Sequence, residues 1–444
     1  MKISSIKLSF VPVVTRIPLK FADQVLTSVT CARVEIHAEQ NDQSATGFAE
    51  TPLSVAWVWP SELGYREREE RLKSFCELLK DDLLVHGESG HPFTIGAHYL
   101  ERRLPDRLAD ENTGRCEEDM MPHLAALVCL SAFDLALYDA FGKLHGVPAF
   151  ECLDQSWLDS DLSHYLEPRE RFAGKYPSDY FVQPSSTLPV WHLVGGLDPL
   201  EQSDLKGSEP QDGYPVLLRD WIQKDGLNCL KIKLRGNDLE WDYQRLIKVG
   251  KISLEQGVMN LTADFNCMVS DPDYVNEILD RLKTSEPEIY DRVLYVEQPF
   301  AYDLEKNQIQ VHSVSERKLL LMDESAHDWR LVKLGCELGW TGVALKTCKT
   351  LTGAILSLCW AKEHGMSLMV QDLTNPRLAQ IPHVLLASYA GTICGVESNA
   401  MQFYPDASLE FLKVHPGLYQ RRQGVLDLRT IQGPGFGYSG VESL

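Results

Sequence analysis

The chain has 444 residues, with 43 Lys and Arg against 63 Asp and Glu, a formal net charge of -20. That length accommodates two domains, one of them large enough for a full barrel, and 44% hydrophobic with 24% charged residues is ordinary for a globular protein. The acidic balance argues against nucleic acid or a membrane surface as partner, because both require a basic patch. Eleven cysteines are scattered without a Cys-x-x-Cys pair or zinc-type spacing. Many sit in apolar runs, and they read as reduced core residues of a cytoplasmic protein. Lys2 and Lys7 break the short N-terminal apolar stretch, so no signal peptide is expected. No run is expected to be long and apolar enough to span a bilayer.

Residues 3–14 and 27–38 alternate apolar and polar positions and are predicted strands, with Thr46–Glu50 as a third. Helical periodicity follows over Glu67–Leu84 and Leu124–Leu144. The second helix is apolar nearly all round and is expected to lie buried between two domains, ended by Gly146-Val147-Pro148. Residues 1–153 thus read as a small α+β unit. Residues 154–186 sustain no period and read as an irregular insertion, either a lid or a surface linker.

From residue 187 to about 400, strands alternate with helices. Predicted strands are Val190–Val194, Cys229–Leu234, Met259–Asp264, Val293–Glu297, Leu319–Asp323, Gly342–Lys346, Ser367–Gln371 and Ile393–Glu397. Helices are predicted over Asp238–Leu254, Asp271–Lys283, Leu351–His364 and Pro376–Tyr389. Eight strands in strict alternation favour a closed parallel (β/α)8 barrel over an open sheet. Residues 401–444 have no place in such a barrel and are expected to pack back onto the first domain and complete it.

Asp264, Glu297 and Asp323 close three successive apolar runs. A carboxylate at such a position lands on the carboxyl-end rim, where barrel enzymes keep their chemistry. Three of them together make an oxygen-only ligand set suited to Mg²⁺, or to Mn²⁺. In Leu230-Lys231-Ile232-Lys233-Leu234 the apolar residues face one way and both lysines the other, into the barrel. The alternative is a solvent-facing pair on an edge strand. Two ammonium groups so close are expected to depress each other's pKa, which suits a lysine to serve as a base. Lys346 ends the sixth strand, across the barrel from the second. Glu397 ends the eighth strand, as a partner of a substrate oxygen or in a structural ion pair. Gln371 and Asp372 end the seventh. Glu324 and Asp328 read as loop residues.

Lys231-Ile232-Lys233, Asp264-Phe265-Asn266, Glu297-Gln298-Pro299, Asp323-Glu324-Ser325, Ala344-Leu345-Lys346, Ala136–Lys143 and Gly433-Pro434-Gly435-Phe436-Gly437 together resemble the enolase superfamily, in its muconate lactonizing enzyme-like branch of the mandelate racemase family. The resemblance implies a modified barrel under a cap formed by both chain ends. It also implies an Mg²⁺-dependent isomerase or lyase that takes the proton next to a carboxylate through an enediolate, whether in racemisation, cycloisomerisation or β-elimination. It assigns Asp264, Glu297 and Asp323 to the metal and Lys231, Lys233 and Lys346 to catalysis, with Glu397 a further catalytic candidate from its place at the end of the eighth strand. Asn266, Gln371 and Trp57 fall to substrate binding, with selectivity from the cap segments Arg16–Thr27 and Thr51–Ser61. Trp57 is equally read as packing between cap and barrel. A homo-oligomer is implied, although a monomer suits the buried helix equally. Departures are the absence of a histidine on the seventh strand, which argues against the mandelate racemase and sugar-acid dehydratase types, and Glu397-Ser398-Asn399 in place of the Asp-x-Asp of dipeptide epimerases. Thr350-Leu351-Thr352-Gly353 replaces the usual Gly-Gly after the sixth strand. The rival readings are a barrel aldolase or lyase with a lysine Schiff base, and a non-catalytic ligand-binding relative.

Overall fold

The computed structural model describes residues 1–21 and 24–444, with side chains for all of these except 19–21 and 24–25. Strands β1 (Lys2–Phe21), β2 (Gln24–Gln40) and β3 (Gln43–Pro52) form an antiparallel sheet in that order. Asn41 and Asp42 both have positive φ, at 49° and 63°. They close β2 onto β3 in the two-residue turn whose twist matches the strands. The helices Tyr65–His86 and His123–His145 cover the sheet. The longer one lies so close to β3 that a Cβ on Gly47 would stand 2.1 Å from the Ala136 carbonyl oxygen.

The first two strands run beyond their predicted bounds. After a register shift between Val14 and Leu19 the pairing resumes at Leu19–Leu26. The expected selectivity segment Arg16–Thr27 is therefore largely the far arm of a hairpin and not a loop. Ala22, Asp23 and the side chains of 19–25 lie outside the described residues. Arg16 anchors this arm to the segment that follows the first barrel strand. Its guanidinium donates to Asp212 Oδ2 at 2.6 Å and Oδ1 at 3.0 Å, and to the carbonyls of Tyr214 and Pro215 at 3.1 Å.

Eight parallel strands make a nearly closed barrel: β4 (Thr187–Val194), β5 (Cys229–Lys233), β6 (Asn260–Asp264), β7 (Val293–Glu297), β8 (Leu319–Met322), β9 (Gly342–Leu345), β10 (Ser367–Val370) and β11 (Val396–Glu397). The ladder runs from β10 back to β4 and then to β11. The remaining gap is bridged by the Ile393 amide donating to the Leu368 carbonyl at 2.8 Å. Leu230, Ile232, Val296, Leu320, Val343 and Val370 face outward and are buried, in the same core as the surrounding helices. Trp191, Cys229, Tyr295, Leu321 and Met369 form a separate apolar cluster inside the barrel. It plugs the floor, so chemistry is confined to the rim above.

Residues 154–186 fold as short helical turns, Leu162–His164, Arg169–Phe172 and Pro177–Tyr180. They are tied to the helix Leu351–Glu363 through Lys175 and Tyr180 on Glu363, both at 2.7 Å, and Trp360 Nε1 on the Glu167 carbonyl at 2.9 Å. The insertion thus packs on the outside of a barrel helix, not across the rim. The last segment divides. Strand β12 (Val425–Asp427) pairs antiparallel with β4, so it joins the barrel, contrary to expectation. The residues beyond it close the cap. Arg33 donates to the carbonyls of Glu442 and Leu444 at 2.6 and 3.0 Å.

The segment Glu117–His145 is long and apolar enough by composition to cross a bilayer, against the expectation from sequence, but its apolar window is wholly buried inside the protein. One deeply placed junction on it is Asp139. That carboxylate accepts the amides of Phe48 and Phe436, each at 2.9 Å, and pairs with Lys143 at 2.8 Å. Gly435 must be glycine here: its φ is 66°, and a Cβ would meet Asp139 Oδ1 at 2.2 Å. Removing the carboxylate leaves two amides and an ammonium without their partner, so Asp139→Ala should cost about 3 kcal/mol in urea unfolding. An unchanged midpoint would show that the cap does not hang on this junction.

Candidate active site

Strand alternation turns Cys229, Lys231 and Lys233 inward on β5, as it does Asp264 on β6 and Glu297 on β7. Register pairs Lys233 with Asp264 and Asp264 with Glu297, so all three stand at one level. Lys231, one layer lower, is buried among carboxylates: its Nζ lies 2.6 Å from Glu297, 3.1 Å from Glu397 and 3.1 Å from Asp264. Lys233 Nζ lies 2.5 Å from Asp264 Oδ2 and donates to Asn266 Oδ1 at 2.7 Å. Asn266 in turn gives its amide to Asp264 Oδ1 at 2.9 Å, from a backbone with φ of 51°.

Across the barrel, Lys346 Nζ lies 2.9 Å from Asp323 Oδ2 and donates to the Asp372 carbonyl at 3.1 Å. Lys349 also reaches Asp323, through its carbonyl and through Oδ1 at 3.4 Å. Both ammonium groups stand over the ring of Trp57, at 4.9 and 5.7 Å from its centroid. Trp57 Nε1 donates to Glu324 Oε1 at 2.9 Å, so this cap tryptophan joins the barrel rim through ring and ring nitrogen alike. Glu324 is buried in the site, whereas Asp328 caps the helix Trp329–Leu338.

Gln371 donates to Glu297 Oε2 at 2.6 Å and to Tyr295 at 3.3 Å. Glu397 is held from two sides. Asn399 Nδ2 donates to its Oε1 at 2.7 Å, and His383 Nε2 donates to its carbonyl at 2.7 Å. Asn399 also donates to Asp372 Oδ1 at 3.1 Å. Gln298, at φ 32°, accepts the amides of Asp323 and Ser325 at 2.7 and 3.2 Å, which fixes the loop that carries the fifth-strand carboxylate.

The electrostatics correct one expectation. Burial works to lower the pKa of Lys231, but Glu297, Glu397 and Asp264 outweigh it and hold the ammonium well above its ordinary value. Its neighbours are carboxylates before they are lysines, so Lys231 is a fixed cation. Lys346 is likewise raised, burial being overcome mainly by Asp323. Asp264 and Asp323 are lowered; in each, burial opposes ionisation and the lysines prevail. Glu297 is raised well above the carboxylate range, by burial first and by Asp264 next.

The donor set suits a hard cation. Six carboxylates (Asp264, Glu297, Asp323, Glu324, Asp372 and Glu397) are buried with four lysines, of which Lys231, Lys346 and Lys349 are equally buried. Were all six ionised, two negative charges would be in excess and a divalent cation would balance them; the crowding shows in the raised pKa of Glu297. Among the described residues no three Asp, Glu, His or Cys side chains are already arranged as a cation cage. The lysine ammonium groups pair with Asp264, Glu297 and Asp323, the three oxygen-bearing strand ends. Every residue expected at the site lies at this rim. Glu324, expected as a loop residue, is buried among the site carboxylates. Lys349 is a site residue that sequence reasoning missed, and Gln298 and Asn399 stand in the strand-end motifs without a role being read from them.

No family model matches the chain, and a search of curated proteins returns no match. Solved structures share its fold. The L-Ala-D/L-Glu epimerase from Bacillus subtilis is 17% identical, with a TM-score of 0.65 over 98% of each chain. A dipeptide epimerase from Enterococcus faecalis, solved with Mg and the dipeptide L-Leu-L-Tyr, is 16% identical, with a TM-score of 0.62 over 98% of this chain and 99% of that one. A muconate lactonizing enzyme from Pseudomonas fluorescens, solved with muconolactone, is 15% identical, with a TM-score of 0.61 over 98% and 96%. At such identities the likeness shows the fold: a capped parallel barrel of the kind found in mandelate racemase/muconate lactonizing proteins.

The histidine beneath Glu397 makes the site sensitive to acid. Burial pushes His383 down from 6.5 to about 4, against the opposing pull of Glu397; Lys346 adds to the lowering. Above pH 6.5 both folded and unfolded rings are neutral. Below it the unfolded ring takes a proton that the folded one refuses until about pH 4, so stability falls with falling pH. At about pH 5 the loss is about 2 kcal/mol. Wild type should lose that much more stability than His383→Asn between neutral pH and about pH 5 in urea melts; equal losses would remove His383 as the source.

Proposed function

We propose that the chain is a divalent-metal-dependent isomerase or lyase that removes the proton next to the carboxylate of a small substrate. The observation that carries this reading is the placement of Lys233 and Lys346 on the second and sixth barrel strands, on opposite sides of a rim that presents Asp264, Glu297 and Asp323. Held by these three carboxylates, a bound Mg²⁺ or Mn²⁺ would supply Lewis-acid stabilisation of the charge that develops on the substrate carboxylate, and would engage the oxygens now paired with Lys233 and Lys346.

A substrate lying between the two lysines presents one face of its α carbon to each. Lys233 Nζ, positioned by Asn266, serves one face, and Lys346 Nζ, positioned over Trp57 and against the Asp372 carbonyl, serves the other. One takes the proton; the opposite one returns it or stands by the developing anion. Lys231 does not exchange protons. It holds Glu297, Glu397 and Asp264 in place as their permanent counter-charge. Trp57 walls the mouth from the cap side, which limits the water that reaches the anion. The free state of all eleven cysteines agrees with a reducing compartment such as the cytoplasm.

Deuterium incorporation from D₂O, followed by mass spectrometry over a panel of small carboxylates with Mg²⁺, should reveal exchange at one α carbon that a chelator abolishes. Lys233→Ala and Lys346→Ala should each lower turnover by about 10²–10⁴-fold. If the reaction is a racemisation, each variant should lose exchange from one enantiomer only. Asp264→Ala should lose Mg²⁺ binding in calorimetry. Unchanged Mg²⁺ affinity in that variant would sink the metal assignment, and borohydride trapping of a substrate on a lysine would replace this chemistry with a Schiff base.

A further inference from the structure

Two thiols meet at the barrel floor, well below the rim. Cys229, on β5, is fully buried, and Cys394, in the segment before β11, is half-buried. Their sulfurs lie 3.7 Å apart. Asn260 turns its side-chain amide toward both, at 3.4 Å from Cys229 Sγ and 3.9 Å from Cys394 Sγ. Trp191 Nε1 donates to the Cys394 carbonyl at 2.6 Å and so fixes the backbone that presents the outer thiol. Neither sulfur takes part in the chemistry proposed for the rim.

We propose that Cys229 and Cys394 form a redox-active dithiol that exchanges with a low-molecular-weight disulfide. The pair is asymmetric in the way such exchange requires. The thiol of Cys229 is pushed up by its contact with Cys394 and by burial, while Cys394 is lowered by the hydrogen bond from Cys229. Cys394 is the half-buried member of the pair and Cys229 the buried one, so Cys394 is the thiol that a small disulfide meets first. Its thiolate attacks one sulfur of the small disulfide RSSR, forming a mixed disulfide and releasing one RS⁻, which takes up a proton. Cys229 then loses its proton and attacks Cys394 Sγ, displacing the second RS⁻. Two thiols of the chain are oxidised by two electrons and one RSSR is reduced to two RSH. The final S–S bond of about 2.05 Å requires the sulfurs to approach by about 1.7 Å, within the reach of side-chain rotation.

The bridge would join the strands that carry Lys231 and Glu397, two residues above Cys229 and three above Cys394, whose side chains pair at 3.1 Å. Cys76 and Cys129 also interact through their side chains, but both are fully buried, and they serve as an internal comparison.

The native protein should be incubated with oxidised glutathione, alkylated and digested. The expected product is a peptide linking Cys229 to Cys394, with Cys76 and Cys129 still free thiols. In Cys229→Ser the expected product is a glutathione adduct that stays on Cys394, because no second thiol resolves it. In unmutated protein, maleimide should label Cys394 before oxidation and fail to do so afterwards, with labelling restored by dithiothreitol. The proposal is overturned if fully oxidising glutathione leaves both cysteines labelled as free thiols in the native protein, or if the Cys76–Cys129 link forms instead.

Discussion

The rim of this barrel is governed by the neutralisation of buried carboxylates. Asp264, Glu297, Asp323 and Glu397 are all nearly inaccessible to water, and four like charges gathered there would be ruinous unpaired. Lys231 answers three of them at once. The remaining lysines are shared between Asp264 and Asp323. Much of the surrounding architecture serves to keep these charges fixed: Gln371 on Glu297, Asn399 on Glu397 and Gln298 under the Asp323 loop. The crowding that remains after these pairings shows in the raised pKa of Glu297 and Glu324, where burial and the neighbouring carboxylates act together.

The barrel strands were legible because each is a short apolar run, and the acidic residues of interest sit where three of those runs stop. Alternation in Leu230–Leu234 sufficed to turn both lysines inward. What alternation does not convey is which charge each lysine meets. Lys231 has its partners on β6, β7 and β11, up to 166 residues away, and their pull reverses the expectation drawn from Lys233 two positions along. The same limit hid Asn399 and Gln298, whose roles depend on loops meeting across the rim. The expected strands stop short because Pro18 and the register shift between Val14 and Leu19 interrupt the alternation, although the backbone goes on pairing. The short β12 lacks any periodicity of its own and owes its existence to the edge offered by β4.

Cap and barrel are joined by a few specific polar contacts as well as by apolar burial. Trp57 bonds Glu324 and stacks beneath two lysines, Thr352 donates to Asp134 on the cap helix at 2.7 Å, and Arg16 grips the segment after β4. Cap and rim are thus mechanically linked: a change in the cap that moves Trp57 also changes what surrounds Lys346.

The junction at Asp139 bears on the order in which the molecule is assembled during synthesis. The amide of Phe436 reaches that carboxylate across 297 residues of sequence. At ordinary rates of translation, roughly 15–60 s separate the emergence of the two partners from the ribosome. For that interval Asp139 lacks one of its two amide partners, while the rest of the helix His123–His145 is covered stepwise by the sheet, by its neighbouring helix and then by the Thr347–Thr352 segment of the barrel. The unit that is made early is thus closed late: its central carboxylate gains its second amide only when the Gly433–Gly437 turn has been made.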